Sequence, residues 1–396
     1  MSLTESVHNE TLGFQQEIAR LQALLEASRM VHGALDLDDV LHCALEITVK
    51  ELEADGAFFT ESESIASARR ASYGRVPEWA QGDHPEEWAA CPSVRLLDKR
   101  GGLLTRLVVL RPGKPLTLEE QDFLEGLGLQ SSVAVENARQ HKHLLAWERV
   151  QQDLAAARAI QSSRLPQSLP LIAGYAVDYR YKACFEVGGD SLDIVPLPDD
   201  QYMMIVADVA GKGLASALVS ASFRAAFRAM TIAGVPIVEL AERINDLHHG
   251  EGPESQRRYV TAIIMRLDAR LHEAEVVNAG HNPGFLVQDD GCHSLLEASG
   301  PPLGMFPSMR YSVERYSLTP NTKLLFYTDG LTEVFQGDEE FGMARLLSGF
   351  VQSTERECGA LLDCLWRQLS DFAGSSEQSD DMTALALLRH NPEDIR

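Results

Sequence analysis

Carboxylates recur where apolar runs meet glycine-rich turns from residue 190 onward in this 396-residue chain. Asp190 and Asp193 follow Gly188-Gly189, and Asp208 ends Met203-Met204-Ile205-Val206-Ala207. Asp329 ends Leu324-Leu325-Phe326-Tyr327-Thr328, and Asp380-Asp381 precede Met382-Thr383-Ala384-Leu385. An acid at the end of a buried strand loses water on one side, so it needs hydrogen-bond donors or a cation. Several such acids call for shared cations. The neighbouring Gly211, Gly213 and Gly330 let loops turn sharply and let backbone oxygens approach an ion. Oxygen ligands with no adjacent histidine or thiolate favour Mg²⁺ or Mn²⁺ over zinc. Two such ions bridging a water lower its pKa and align it for in-line attack on phosphorus, with no protein nucleophile. A lone Asp-Gly is more often a turn than a ligand, but its recurrence beside apolar strands points to a metal centre.

The elements around these acids read mainly as strands: 175–181, 202–209, 259–267, 273–278, 285–288, 323–328 and 382–388. Helical periodicity falls at 215–230, 237–248, 344–351 and 358–372. Long helices among antiparallel-looking strands predict an α+β class, a layered sandwich rather than a parallel doubly wound sheet. Leu165-Pro166 and Leu169-Pro170 end the helix that precedes it.

Upstream, Phe14, Ile18, Leu21 and Leu25 form one apolar seam of an N-terminal helix. Asp36, Asp38 and Asp39 mark a helix start before an apolar-periodic segment from Val40 to about Leu52, and β-like pieces follow at 57–60, 93–97 and 103–111. Thr117 can cap a further helix that meets no proline or glycine between Leu129 and Leu165. In it Trp147, Val150, Leu154 and Ala157 keep a coiled-coil-like step for about two heptads, a pattern an ordinary amphipathic helix shares equally. The expected organisation is an N-terminal helix (1–35), a small α+β module (36–137), a helical or coiled-coil linker (138–165), a catalytic domain (166–390) and a tail (391–396).

Composition narrows the classes. Thirty-five basic against 58 acidic residues give a formal charge of −23, which excludes a nucleic-acid binder working by bulk electrostatics. No run approaches the roughly 18 apolar residues of a membrane span. The N-terminus lacks a basic segment followed by an apolar block, and the six cysteines show no C-x-x-C pairing, so a reduced cytoplasm is expected.

Five ordered blocks carry a resemblance: Gly188-Gly189-Asp190-x-x-Asp193, Asp208-Val209-Ala210-Gly211-Lys212-Gly213, Ala279-Gly280-His281-Asn282-Pro283, Tyr327-Thr328-Asp329-Gly330-Leu331-Thr332-Glu333 and Ser379-Asp380-Asp381-Met382-Thr383. With the lead-in Gln161 to Pro166, residues 158–390 resemble the metal-dependent (PPM, type-2C-like) serine/threonine protein phosphatases of the bacterial SpoIIE/RsbU-like branch. The resemblance implies an α/β/β/α sandwich and a centre of two divalent cations, Mn²⁺ or Mg²⁺. It also implies hydrolysis of phosphoserine or phosphothreonine on an anti-anti-sigma-type partner. Position by position it implies that Asp190, Asp208 and the Val209 carbonyl hold the bridging or second metal, and that Asp329 and Asp380 hold the first. Asp193 and Asp381 match as further ligands or as acceptors orienting ligated water. Ser191-Leu192 stand where the family usually has aromatic residues. The resemblance also implies that the helix after Gly213, whose surface of small residues includes Ala215, Ala217, Ser220 and Ala221, belongs to a movable element that completes the metal site, a surface that close helix-on-sheet packing explains equally.

Residues 36–137 resemble a GAF sensor domain, through Leu35 to Leu41, Leu116 to Gln121 and Ala134 to Ala138. That implies an unidentified small-molecule or protein signal, with Trp79, Trp88 and Cys91 as pocket candidates, and a homodimer joined through the linker and N-terminal helices. His281 and Asn282 read most simply as a turn satisfying backbone groups, and Lys212 as a solvated loop lysine. Two other readings compete. One is a catalytically silent phosphoprotein-binding regulator, disfavoured because clustered carboxylates without metal repel one another. The other is a GDSL-type esterase, from Gly189-Asp190-Ser191-Leu192 with Asp290 and His293, disfavoured because about a hundred residues follow His293.

Overall fold

The computed structural model describes residues 36–60, 71–77 and 90–391, with positions 22, 25, 28, 29, 31 and 33. The seam residues Phe14, Ile18 and Leu21 and the pocket candidates Trp79 and Trp88 lie outside the described residues. The chain divides into two compact units, Met1–Gln151 and Gln152–Arg396. Among the described residues no helix is long and apolar enough to cross a membrane.

In the first unit, helix α1 (Leu37–Glu51) begins at Asp36, whose carboxylate accepts the Asp38 N–H at 2.8 Å. Asp38 and Asp39 in its first turn and Lys50 in its last complement the helix dipole. Strands β1 (Gly56–Phe59), β2 (Ser72–Gly74), β3 (Ser93–Leu97) and β4 (Leu103–Leu110) form one antiparallel sheet in the order β2-β1-β4-β3. Its core joins Leu41 and Leu45 of α1 to Phe59, Leu107 and Val109 of the sheet and to Phe123, Leu127 and Val135. Those last three belong to α2 (Leu118–Arg164), one continuous helix of 47 residues. A capping box starts it: the Thr117 N–H donates to Glu120 Oε2 at 2.8 Å, and the Glu120 N–H to Thr117 Oγ1 at 3.2 Å. Beyond Ala138 no α2 residue is buried, and Leu144, Trp147, Val150 and Ile160 are exposed.

The second unit contains β5 (Tyr175–Lys182), β6 (Ser191–Leu197), β7 (Gln201–Val209), α3 (Leu214–Ile232), α4 (Ile237–Gly250) and α5 (Pro253–Arg257). Next come β8 (Val260–Asp268), β9 (Glu273–Ala279), β10 (Gly284–Val287), β11 (His293–Leu296), β12 (Glu314–Ser317) and β13 (Lys323–Tyr327). The chain continues through the two-residue strands β14 (Phe335–Gln336) and β15 (Glu339–Glu340), then α6 (Gly342–Gln352), α7 (Cys358–Ala373) and β16 (Met382–Arg389). Two five-stranded antiparallel sheets result, ordered β11-β10-β13-β16-β5 and β12-β9-β8-β7-β6.

Strand alternation sorts side chains into layers. Leu192, Met204, Val206, Ile263 and Met265 of one sheet meet Leu286, Leu324, Phe326, Leu385 and Leu387 of the other between the sheets. The intervening residues of β7 and β8, such as Ile205 and Ile264, pack outward on Phe223, Phe227, Leu240 and Ile244 of α3 and α4. Leu325, Tyr327, Ala384 and Ala386 pack outward on Leu346, Phe350, Leu361 and Leu365 of α6 and α7. The architecture is therefore α/β/β/α, as the sequence predicts. In this unit strands β6, β11, β12, β14 and β15 are additional to the expected set, β6 because Asp193 and Pro196 interrupt its apolar run. Proline is tolerated there because β6 is the outermost strand of its sheet.

Candidate metal centre

The alternation that builds the inter-sheet core also gathers acids at one end of it. Asp208 shares the inward parity of Met204 and Val206 on β7, and Asp190 that of Leu192 and Ile194 on β6. From the facing sheet, Thr328 extends the parity of Leu324 and Phe326, and Asp381 and Thr383 that of Leu385 and Leu387. Asp329 opens a single 3-10 turn immediately after β13. Backbone crowding demands glycine here: a Cβ on Gly188 would strike the Asp381 carboxylate, and one on Gly330 the Asp381 carbonyl.

Asp190 is 3% exposed, and its Oδ2 accepts the hydroxyls of Thr328 (2.8 Å) and Thr383, both fully buried. The Asp190 and Asp208 carboxyls lie within hydrogen-bonding reach of each other. Burial, then the charges of Asp208 and Asp381, push Asp190 well above the usual carboxylate range. Burial, then Asp329, Asp380 and Asp381, push Asp208 up to about 7. Asp329 is raised by burial and then by Asp380, and Glu333 by burial and then by Asp329 and Asp380. The one cation these carboxylates meet among the described residues is Lys212, which pairs with Asp380 at 2.8 Å and donates to the Ser379 carbonyl at 2.6 Å. Lys212 is thus an ion-paired residue of the acid cluster rather than a solvated loop lysine. The Val209 carbonyl faces the Asp190 loop, 3.0 Å from where a Cβ on Gly189 would stand.

Two expected ligands are otherwise engaged. Asp381 accepts the Cys184 N–H on Oδ1 (2.7 Å) and the Gly189 N–H on Oδ2 (2.6 Å), so its carboxylate anchors the Gly188-Gly189 turn. Asp193 corrects the expectation more sharply. It lies three positions after Asp190, an odd step along an extended strand, so it faces the helix layer. There, 1% exposed, it pairs with Arg224 at 3.1 Å and Arg228 at 3.5 Å, both on α3. It acts as the counter-ion of α3, not as a member of the inter-sheet cluster.

His281 does satisfy a backbone group, as its turn predicts, but across the sandwich. Its Nε2 meets the Tyr327 carbonyl at 3.0 Å and its Nδ1 the Thr261 hydroxyl at 2.8 Å. Burial holds it down to about 4, so it is neutral: Nε2 carries the proton and Thr261 donates to Nδ1. Thr261 pairs with Asp208 across β8 and β7, and Tyr327 lies two residues before Asp329, so the imidazole ties together two acid-bearing strand ends.

Sequence reasoning passed over Thr328, Thr383 and Tyr181. The inward parity of the threonines beside the acids is the signal that would have found them. The buried Tyr181 hydroxyl lies against Gly188 with no hydrogen-bond partner. The esterase reading fails on geometry: Ser191 Oγ has no partner, while His293 and Asp290 are exposed, with Asp290 capping the Cys292 N–H.

Among the described residues no three acidic, histidine or cysteine side chains stand in coordinating arrangement, because Asp190 is turned onto two threonines, Asp380 onto Lys212 and Asp381 onto backbone. The donor set nevertheless fits hard divalent cations. It consists of oxygens only, it is crowded with mutually repelling carboxylates, and it holds a single compensating charge.

Two facing antiparallel sheets with helices outside and acids at one sheet end define a PP2C-type phosphatase fold. The solved SiaA-PP2C domain of Pseudomonas aeruginosa shares that fold at 20% identity, with a TM-score of 0.55 over 62% of this chain and 99% of that domain. Residues 198–390 match the family described as Stage II sporulation protein E (SpoIIE). Phosphoserine phosphatase RsbP of Bacillus subtilis is 32% identical over 184 residues, covering 46% of this chain and 45% of that protein. Phosphoserine phosphatase RsbU of the same organism is 23% identical over 217 residues, covering 52% of this chain and 63% of that protein. The chain thus spans less than two thirds of either relative.

Proposed function

We propose that the chain is a metal-dependent phosphoprotein phosphatase that hydrolyses phosphoserine or phosphothreonine on an anti-anti-sigma-type regulator in a partner-switching pathway. The observation that carries the reading is the convergence of Asp190, Asp208, Asp329 and Asp380 on one end of the inter-sheet core, with Lys212 the one cation they meet among the described residues. The raised proton affinities of Asp190, Asp208 and Asp329 are the mark of carboxylates built to share positive charge.

Asp190, Asp208, the Val209 carbonyl, Asp329 and Asp380 are the proposed holders of two cations, Mn²⁺ or Mg²⁺. When bound, these supply Lewis acidity and lower the pKa of the attacking water. Thr328 and Thr383 fix the Asp190 carboxylate, the Asp381 bonds to backbone N–H groups fix the turn carrying it, and His281 fixes the spacing of the strands bearing Asp208 and Asp329. Lys212 is half exposed beside Asp380 and offers a point charge to incoming phosphate oxygens. In the same reading the first unit is a GAF-like sensor, its unidentified signal reaches the second unit along α2, and the exposed apolar residues of α2 support a homodimer.

Hydrolysis of p-nitrophenyl phosphate by the full chain with Mn²⁺ tests the chemistry. Turnover that EDTA abolishes and that Asp329→Ala lowers by at least about a thousandfold supports it. Turnover insensitive to both refutes it, and absence of turnover beside tight retention of a phosphoprotein would favour the silent regulator. Phosphorylated anti-anti-sigma candidates, offered to the full chain and to a chain beginning near Arg158, test the substrate and the control by α2. Identical rate and oligomeric state in both chains would remove the regulatory part.

A further inference from the structure

Within the second unit, a cavity of about 280 Å³ opens between the last turns of α2, the segment leading into β6, and α3. Its walls are apolar: Ile160 and Leu165, Val187 and Leu192, Ala217 and Ala221. Two polar groups lining it have no hydrogen-bond partner: the hydroxyl of Ser191, a residue 3% exposed, and the Nε of Arg224. Buried polar groups left unmatched are uncommon in folded proteins and point to a ligand or water that completes them. The charge at this end is also unbalanced. Arg224 and Arg228 share the single carboxylate of Asp193, and Arg164, also on the lining, has no acidic partner among the described residues.

We propose that this cavity is a binding site for a small amphiphilic monocarboxylate, its head taken by Arg224, Arg164 and Ser191 and its apolar body by the walls just named. The volume lies at the small end of ligand pockets and suits an unbranched chain of roughly eight to twelve carbons. An anionic head answers the excess of guanidinium groups on the lining, where Asp193 meets Arg224 and Arg164 has no acidic partner among the described residues. Asp190 lines the same cavity, and Ser220 of α3 donates to its carbonyl at 3.2 Å, so an occupant braces α3 and the Asp190 segment together. Of the inter-sheet acids only Asp190 lines the cavity, and the head group is taken by Arg224, Arg164 and Ser191 rather than by any of those acids.

Isothermal titration calorimetry of the full chain with decanoate, in buffer containing EDTA, tests the proposal without reference to turnover, so its failure and that of the phosphatase reading are separable. Expected are one decanoate per chain, at least tenfold tighter binding than decyltrimethylammonium or 1-decanol, and at least tenfold weakening in Ala221→Phe, which fills the cavity. Arg164→Met should weaken decanoate about threefold or more without affecting 1-decanol. If Ala221→Phe does not fold, Ala217→Leu narrows the same space and takes its place. No binding at 1 mM decanoate, equal affinity for the cationic or neutral amphiphile, or unchanged binding in the folded cavity-filled variant would overturn it.

Discussion

Replacing Asp208 by asparagine in the chain stripped of divalent cations should stabilise the second unit at neutral pH. Burial and the charges of Asp329, Asp380 and Asp381 push its carboxyl from the ordinary 3.8 to about 7. A folded-state value above the unfolded one means that the folded chain holds a proton the unfolded chain gives up. The stabilisation linked to that proton is complete below about pH 4 and is lost as pH rises through about 7. Each pH unit between the two values is worth about 1.4 kcal/mol, so the separation sets a ceiling of about 4 kcal/mol. Asparagine keeps the shape without the charge. Because the neighbouring acids relax at the same time, the expected gain is about 2–4 kcal/mol at pH 8 and near zero at pH 4. For a unit of this size that is roughly 5–10 °C in Tm. Scanning calorimetry of both proteins in EDTA from pH 4 to 8 reads it directly, and Mn²⁺ should raise the Tm of the parent far more than that of the variant. Equal melting at pH 8, or a difference that does not change with pH, would refute the reasoning.

Asp193→Asn should cost about 3 kcal/mol or more, because it leaves the largely buried Arg224 without its counter-ion, yet should leave the Mn²⁺ concentration needed for half-maximal hydrolysis within about twofold. A large rise in that Mn²⁺ requirement at unchanged stability would return Asp193 to the ligand set. Tyr181→Phe removes a buried hydroxyl that has no partner, so urea unfolding should report a change within about 0.5 kcal/mol or a small gain, and a loss above about 1 kcal/mol would reveal a bond to that hydroxyl.

Much of the fold is readable locally. The Asp36 cap and the Thr117–Glu120 capping box locate α1 and α2 to within a residue or so, because caps act over a single turn. The apolar runs of β7, β8, β13 and β16 are long enough to announce buried strands with acids at their ends. Where reading failed, one omission explains most of it. Without β6, Asp190 and Asp193 look like two ligands on one loop; with β6 starting at Ser191, their odd spacing sends them to opposite faces.

Residue order alone therefore settled the α+β class, the positions of the caps and strands, and the stationing of Asp190, Asp208, Asp329 and Asp380 at strand ends, since each of these follows from periodicity and near-neighbour chemistry. It could not settle which partners those acids meet. Thr328 and Thr383 reach Asp190 across 138 and 193 residues, Gly189 reaches Asp381 across 192, and Lys212 meets Asp380 only because two sheets close face to face. Pairings over such separations depend on strand order and register, which arise when the sheets pack and which no short segment encodes.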